Sequence, residues 1–212
     1  MIRHIHGLYA ILDPSLLDPG RVPEVAAVLI EAGTGTVQLR DKRGSDRETL
    51  VLARRLADLC NSKGALFVVN DRPDIAAASG ASGVHLGQDD LPVDAARRIL
   101  PAGAVVGIST HSPKQAAEAE AAGADYIGFG PVFPTSTKAD PDPVVGLQGL
   151  SRVAEAAHIP VVAIGGIDWE RAAQIADAGA SACALVSALA KSADPGADAA
   201  TVNALFAKRK RP

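Results

Sequence analysis

Ala32-Gly33-Thr34-Gly35-Thr36-Val37 ends an amphipathic stretch on a glycine and opens a short apolar run, and the same phrase returns three times along the chain. The other copies are Ala78-Ser79-Gly80-Ala81-Ser82-Gly83-Val84, Ala122-Gly123-Ala124-Asp125-Tyr126-Ile127 and Ala178-Gly179-Ala180-Ser181-Ala182-Cys183. A helix that stops on a left-handed residue selects glycine, so Gly33, Gly80, Gly123 and Gly179 predict four helix ends, each leading into an even-numbered strand. Outward from these junctions, short apolar runs alternate with longer amphipathic stretches over the whole chain, as parallel βα units require. The runs at 8–12, 36–39, 66–69, 84–86, 105–108, 126–129, 161–164 and 182–186 predict eight strands. Segments such as 21–32, 46–60, 92–100, 113–122 and 169–178 predict helices between them. Open doubly wound sheets use the same glycine device. Eight units without a break favour closure into a single-domain (β/α)8 TIM barrel over residues 1–212.

Composition agrees with one such domain. The 212 residues sit near the lower end for an eight-stranded α/β barrel, and 48% are hydrophobic, which excludes a disordered chain. A net charge of -3 and only 3% aromatic residues leave neither a basic footprint nor a stacking platform for nucleic acid. Cys60 and Cys183 lie in helical and strand patterns without metal-type spacing, and read as buried free thiols. No apolar run reaches the length of a membrane span and none precedes the first strand as a leader would, so a cytoplasmic location is expected. The basic tail Lys208, Arg209, Lys210 and Arg211 reads as a solvated helix end.

The polar residues that follow each apolar run carry the functional signal. The second strand runs into Gln38, Arg40 and Lys42, the third into Asn70 and Asp71, and the fourth into Gln88, Asp89 and Asp90. The fifth ends at Ser109 and His111, the sixth leads to Thr135, Ser136, Thr137 and Lys138, the seventh to Gly165-Gly166 and the eighth to Ser187. In a barrel these ends share one rim, where active sites are built. Cations, hydroxyls and glycines there suit phosphate oxygens, and two separated acids suit a hard metal such as Mg²⁺, which takes one or two carboxylates, waters and substrate oxygens. Asp71 and Asp90, at adjacent strand ends, could share one ion. They could equally cap the helices that follow, since Asp71 precedes Pro73 and Asp90 precedes Pro92. Gly165-Gly166 suits backbone binding of phosphate or a plain tight turn. Thr135 to Lys138 suits an anion lid. His85, inside an apolar run, reads as structural, and His111 has no obvious carboxylate partner.

Five ordered segments then carry a resemblance that spans nearly the whole chain: Gln38-Leu39-Arg40-Asp41-Lys42, Asn70-Asp71-Arg72, Gly83-Val84-His85-Leu86-Gly87-Gln88-Asp89-Asp90, Gly130-Pro131-Val132-Phe133-Pro134-Thr135-Ser136-Thr137-Lys138 and Ala163-Ile164-Gly165-Gly166-Ile167. Together they resemble the thiamine-phosphate synthase family. The resemblance implies a transferase of thiamine biosynthesis that joins a hydroxymethylpyrimidine diphosphate to a thiazole phosphate, with one Mg²⁺ assisting departure of diphosphate. It implies that Gln38, Leu39, Arg40, Asp41, Lys42, Asn70, Ser109 and Lys138 contact the pyrimidine diphosphate, with Arg40, Lys42, Ser109 and Lys138 in catalytic roles. It implies that Asp71 and Asp90 hold the metal, and that Thr135, Ser136, Thr137, Gly166, Val186 and Ser187 hold the thiazole phosphate. Small molecules are the expected partners, and assembly into a homo-oligomer is compatible with the sequence. The related thiazole tautomerase (TenI-like) group is the nearest alternative, but it carries a His where this chain has Pro131 and lacks the acidic pair. A non-catalytic phosphate-metabolite sensor is a further alternative, against which the intact set of charged rim residues speaks. One departure from the usual pattern is Asp168-Trp169-Glu170-Arg171, where relatives often have an Asn-containing helix start.

Overall fold

Apolar runs too short to be helices, each followed by an amphipathic segment, fold as the strand-helix alternation predicts. A computed structural model describes residues 4–135 and 142–208. Its strands are β1 (Gly7–Leu12), β2 (Thr36–Leu39), β3 (Leu66–Asn70), β4 (Gly83–Leu86), β5 (Val105–Thr110), β6 (Tyr126–Phe129), β7 (Val161–Ala163) and β8 (Ala182–Leu185). All pair in parallel in chain order, and β8 pairs back onto β1, closing the barrel. The helices are α1 (Val22–Glu31), α2 (Asp46–Lys63), α3 (Pro73–Ser79), α4 (Val93–Ile99), α5 (Pro113–Ala121), α6 (Gly146–Ala156), α7 (Ala172–Asp177), α8 (Ser187–Lys191) and α9 (Pro195–Ala207). Among the described residues no helix is long and apolar enough to cross a membrane.

The recurrent junction glycines behave as expected: Gly33, Gly80, Gly123 and Gly179 have φ of 91°, 77°, 85° and 88°. At the end of α1 the Gly33 N–H donates to Ile30 O at 2.9 Å and the Thr34 N–H to Leu29 O at 3.0 Å, which satisfies two carbonyls that the helix leaves open. β3 and β5 run further than their apolar stretches, through Asn70 and Thr110, because the backbone ladder continues where side chains turn polar at the cavity. α7 starts later than 169 because Asp168 Oδ1 accepts the Arg171 N–H at 2.9 Å and makes a turn of residues 168–171. Cys60 and Cys183 are buried free thiols, pushed up to about 12 by burial.

Alternation along each strand sorts the core into two shells. In β1, Leu8, Ala10 and Leu12 face the helices, while Tyr9 and Ile11 enter the barrel interior with Leu66, Val105, Tyr126 and Val162. At the opposite end from the polar rim, Asn203 of α9 ties the barrel down: its Oδ1 accepts the Leu8 N–H at 2.8 Å and its Nδ2 donates to Ala32 O at 3.0 Å. The interior leaves space for the Tyr126 ring only because β5 offers Gly107, where a Cβ would overlap that ring. Gly107→Ala is therefore expected to destabilise the fold by about 1–3 kcal/mol, the usual cost of overpacking, measurable by denaturant titration. An unchanged unfolding midpoint would show that Tyr126 can shift freely.

Candidate active site

The ladders aim the polar strand ends at one mouth of the barrel, where they surround a cavity of about 590 Å³. β2 contributes Gln38, Arg40 and Lys42 to its wall, β3 Asn70 and Asp71, the loop after β4 Asp90, and β5 Ser109. Thr135 follows β6, Gly165 and Gly166 follow β7, and Val186 and Ser187 follow β8. Ser136, Thr137 and Lys138 lie outside the described residues. Leu39 and Asp41 are the two residues of the β2 segment whose side chains the structure uses elsewhere. Leu39 packs in the outer core. Asp41 accepts the Gly44 N–H at 2.8 Å and the Thr49 hydroxyl at 2.9 Å, which locks the β2–α2 loop. Burial would raise that carboxyl, but bonds from Gly44, Arg43 and Thr49 outweigh it and hold it below the usual range.

Neither Asp71 nor Asp90 caps a helix. The N-caps of α3 and α4 are Arg72 and Pro92, without side-chain cap bonds. Asp71 instead sits at φ 61°, a left-handed conformation that Asp tolerates better than most residues, and pairs with Lys42. Asp90 Oδ2 accepts the Gly87 N–H at 2.6 Å. Burial, and then the neighbouring Asp71, hold the Asp90 carboxyl above the ordinary range in spite of that bond and of Lys42. A carboxyl whose charge a neighbouring carboxylate disfavours suits a cation shared by the two. Among the described residues no three His, Cys, Asp or Glu side chains gather as a complete ligand set. Two carboxylates fit an ion that completes its shell with water and substrate oxygens, as Mg²⁺ does.

Below the rim runs a buried polar chain. Gln38 Nε2 donates to the Tyr9 hydroxyl at 2.7 Å, the Tyr9 and Tyr126 hydroxyls are 2.7 Å apart, and Tyr126 Oη meets His85 Nδ1 at 3.0 Å. His85 Nε2 reaches Ser109 Oγ at 2.9 Å. Burial pushes the His85 imidazole down to about 4, against a pull from Asp90.

On the other side, the turn after β7 is a close fit. Gly165 and Gly166 have φ of 95° and 65°. A Cβ on Gly165 would stand 2.5 Å from Pro131 Cβ, and one on Gly166 2.8 Å from Phe133 O, so both positions require glycine. The Phe133 N–H donates to Gly165 O at 3.0 Å, Arg171 Nη1 donates to Gly166 O at 2.6 Å, and the Arg171 guanidinium lies 4.7 Å from the Phe133 ring centre. With these carbonyls tied back, Gly165 and Gly166 line the cavity.

The sequence model described as thiamine monophosphate synthase matches residues 8–189. The chain belongs to the thiamine monophosphate synthase family. A thiamine-phosphate synthase from Methanocella arvoryzae is 42% identical over 96% of both chains. One from Methanospirillum hungatei is 44% identical, covering 89% of this chain and 91% of its own. The solved thiamine phosphate pyrophosphorylase from Pyrococcus furiosus superposes with a TM-score of 0.87 at 36% identity, over 98% of each chain.

For a member of the thiamine monophosphate synthase family, several residues or pairings in or beside the cavity escape a reading of strand ends two to eight. Asp13 follows β1 directly and binds Arg40 Nη1 at 2.5 Å while only 3% exposed, so it fixes that guanidinium at the rim. Its signal was in reach, a polar residue after an apolar run. Tyr9 and Tyr126 look like core aromatics in sequence, and only the inward register shows that their hydroxyls meet. His111 does have a carboxylate partner: its Nε2 is 3.4 Å from Asp142 Oδ2, and its Nδ1 lies 2.6 Å from Gly130 O. A separation of 31 positions hid that pair.

Proposed function

We propose that this protein is a thiamine-phosphate synthase, a transferase that joins an aminopyrimidine methyl diphosphate to a thiazole phosphate and releases diphosphate. The observation that carries this reading is one cavity with a cation-rich, acid-paired wall on β2 to β4 and a glycine turn with hydroxyls on β6 to β8, in a chain of this family. In the reaction the C–O bond from the pyrimidine methylene carbon to diphosphate breaks, its electron pair leaving with diphosphate. The amino-substituted ring spreads the positive charge left on that carbon, and the thiazole nitrogen supplies the electron pair of the new C–N bond. No proton must be moved, and no side chain need act as nucleophile. The chain therefore has to bind, orient and stabilise charge.

Arg40, held by Asp13, and Lys42 face the developing negative charge on diphosphate. Asp71 and Asp90 would hold Mg²⁺, which would supply positive charge to the departing diphosphate. Gln38, Asn70 and Ser109 orient the pyrimidine, and Thr135, Gly166, Val186 and Ser187 take the thiazole phosphate. Ser136, Thr137 and Lys138 complete the two phosphate sites on the family resemblance alone. Incubation with both substrates, with and without Mg²⁺, followed by mass detection of thiamine phosphate, tests this reading. Conversion of a thiazole phosphate isomer without joining would favour the tautomerase instead, and binding without turnover a sensor.

Arg171 makes a narrower test. Arg171→Ala removes the bond to Gly166 O and the contact with Phe133, both part-exposed, so thiazole-phosphate affinity should fall about threefold to tenfold. Pyrimidine diphosphate affinity should stay constant in the same titrations. A matching loss for both substrates would place Arg171 outside the thiazole side.

A further inference from the structure

Gln38 on β2 and Ser109 on β5 stand far apart around the barrel, yet hydrogen bonds through Tyr9, Tyr126 and His85 connect them without a gap. Each hydroxyl has one proton to give. Gln38 Nε2 can only donate, so the Tyr9 oxygen accepts there and its own proton goes to Tyr126. The reverse sense between the tyrosines would leave the Tyr9 O–H without an acceptor in a site where Tyr9 is 2% exposed and Tyr126 fully buried. Tyr126 must then donate to His85 Nδ1, which requires a lone pair on that nitrogen and leaves the ring proton on Nε2, pointing at Ser109 Oγ. Ser109, having accepted, retains its own proton for the cavity. At the far end the bond to Tyr9 takes one of the two Gln38 Nε2 protons and pins the amide, so that Oε1 is held on the side away from Tyr9.

We propose that this relay sets the hydrogen-bond polarity of the pyrimidine subsite, Gln38 offering an acceptor and Ser109 a donor, with Tyr9, Tyr126 and His85 as positioning residues. This rests on the reading of the cavity given above and deepens it. An aminopyrimidine carries donor N–H bonds on its amine and acceptor lone pairs on its ring nitrogens, so a subsite with one fixed acceptor and one fixed donor fits it. A ring with the amine replaced by a carbonyl would present the wrong sign to Gln38. Because the relay is shared, loss of any internal member frees both ends to rotate or exchange roles. Gly128, whose Cβ would stand 3.1 Å from His85 Cε1, and Gly107 beneath Tyr126 keep the two rings in register.

Two measurements test the relay. In ¹⁵N-histidine-labelled protein near pH 7, His85 should show a single neutral tautomer with the proton on Nε2, and in Tyr126→Phe that preference should be lost. A proton on Nδ1, a tautomer mixture in the unmodified protein, or a signal unchanged in the variant would each overturn the proposal. In kinetics, Tyr9→Phe and Tyr126→Phe should lower kcat/KM for the pyrimidine diphosphate about tenfold and leave thiazole-phosphate affinity unchanged. Equal losses for both substrates would mean a general loosening of the barrel and would also overturn it. Should Tyr126→Phe fold poorly, Tyr9→Phe and the tautomer of the unmodified protein decide. The tautomer is read without substrate, so failure to form thiamine phosphate would sink the functional reading and leave the relay standing.

Discussion

Asp71→Asn and Asp90→Asn are each expected to lower turnover on the order of 10²-fold at fixed Mg²⁺ and to raise the Mg²⁺ concentration needed for half-maximal activity. Each replacement keeps shape and removes charge. Asn tolerates the left-handed backbone that Asp71 adopts at φ 61°, and in Asp90→Asn the side-chain amide oxygen could still accept the Gly87 N–H. Stability should barely move, because the Asp71 pair with Lys42 is part-exposed and Asp90 is held against its charge by burial and by Asp71. Thermal unfolding separates folding from function here, and calorimetry of Mg²⁺ in the presence of the pyrimidine diphosphate reports the ion without turnover. An unaltered Mg²⁺ dependence in both variants would remove the pair from the metal site.

The barrel was legible because its signals are local. A glycine that must take positive φ, a run of four apolar residues and a proline at the next helix start are each readable within a few positions, and they repeat. Strand limits slipped most where chemistry changes and backbone does not: Asn70 and Thr110 remain in their ladders although their side chains have left the apolar pattern, while β1, β4, β7 and β8 differ from their apolar runs by one residue at one end. The rim was legible for a related reason, since barrel geometry turns position after a strand into position around one cavity. Contacts between strands were not. Arg40 with Asp13, His111 with Asp142 and Tyr9 with Tyr126 join residues 27, 31 and 117 positions apart, and nothing in a single sequence pairs them. Asp41 shows the converse limit: a charged residue beside Arg40 and Lys42 looks like part of the binding segment, but a three-residue turn takes up its carboxylate.

Gly166→Val should abolish most thiazole-phosphate binding while sparing the pyrimidine diphosphate. Three physical effects converge on that residue. Its φ of 65° is a conformation that a β-branched residue adopts only under strain, of about 1–3 kcal/mol. Its Cβ would stand 2.8 Å from Phe133 Cβ and closer still to Pro134 O, so the segment leading to Thr135 must move. The branched methyls would then cover amides that a phosphate needs to approach, each charge-assisted bond being worth about 1.5–3 kcal/mol, or tenfold and more in Kd. Gly166→Ala separates the causes, since it keeps most of the strain and the Phe133 clash but shields the amides less. If amide access dominates, Ala should cost much less affinity than Val; if backbone strain dominates, the two should cost nearly the same. The charged wall of Arg40, Lys42, Asp71 and Asp90 on β2 to β4, which carries most of the diphosphate side, shares no residue with this turn, so pyrimidine diphosphate affinity is expected to hold in both variants. Calorimetric titration of each substrate into each variant reads these outcomes directly, and equal losses for the two substrates would mean that the cavity is not divided between a diphosphate wall and a thiazole-phosphate turn.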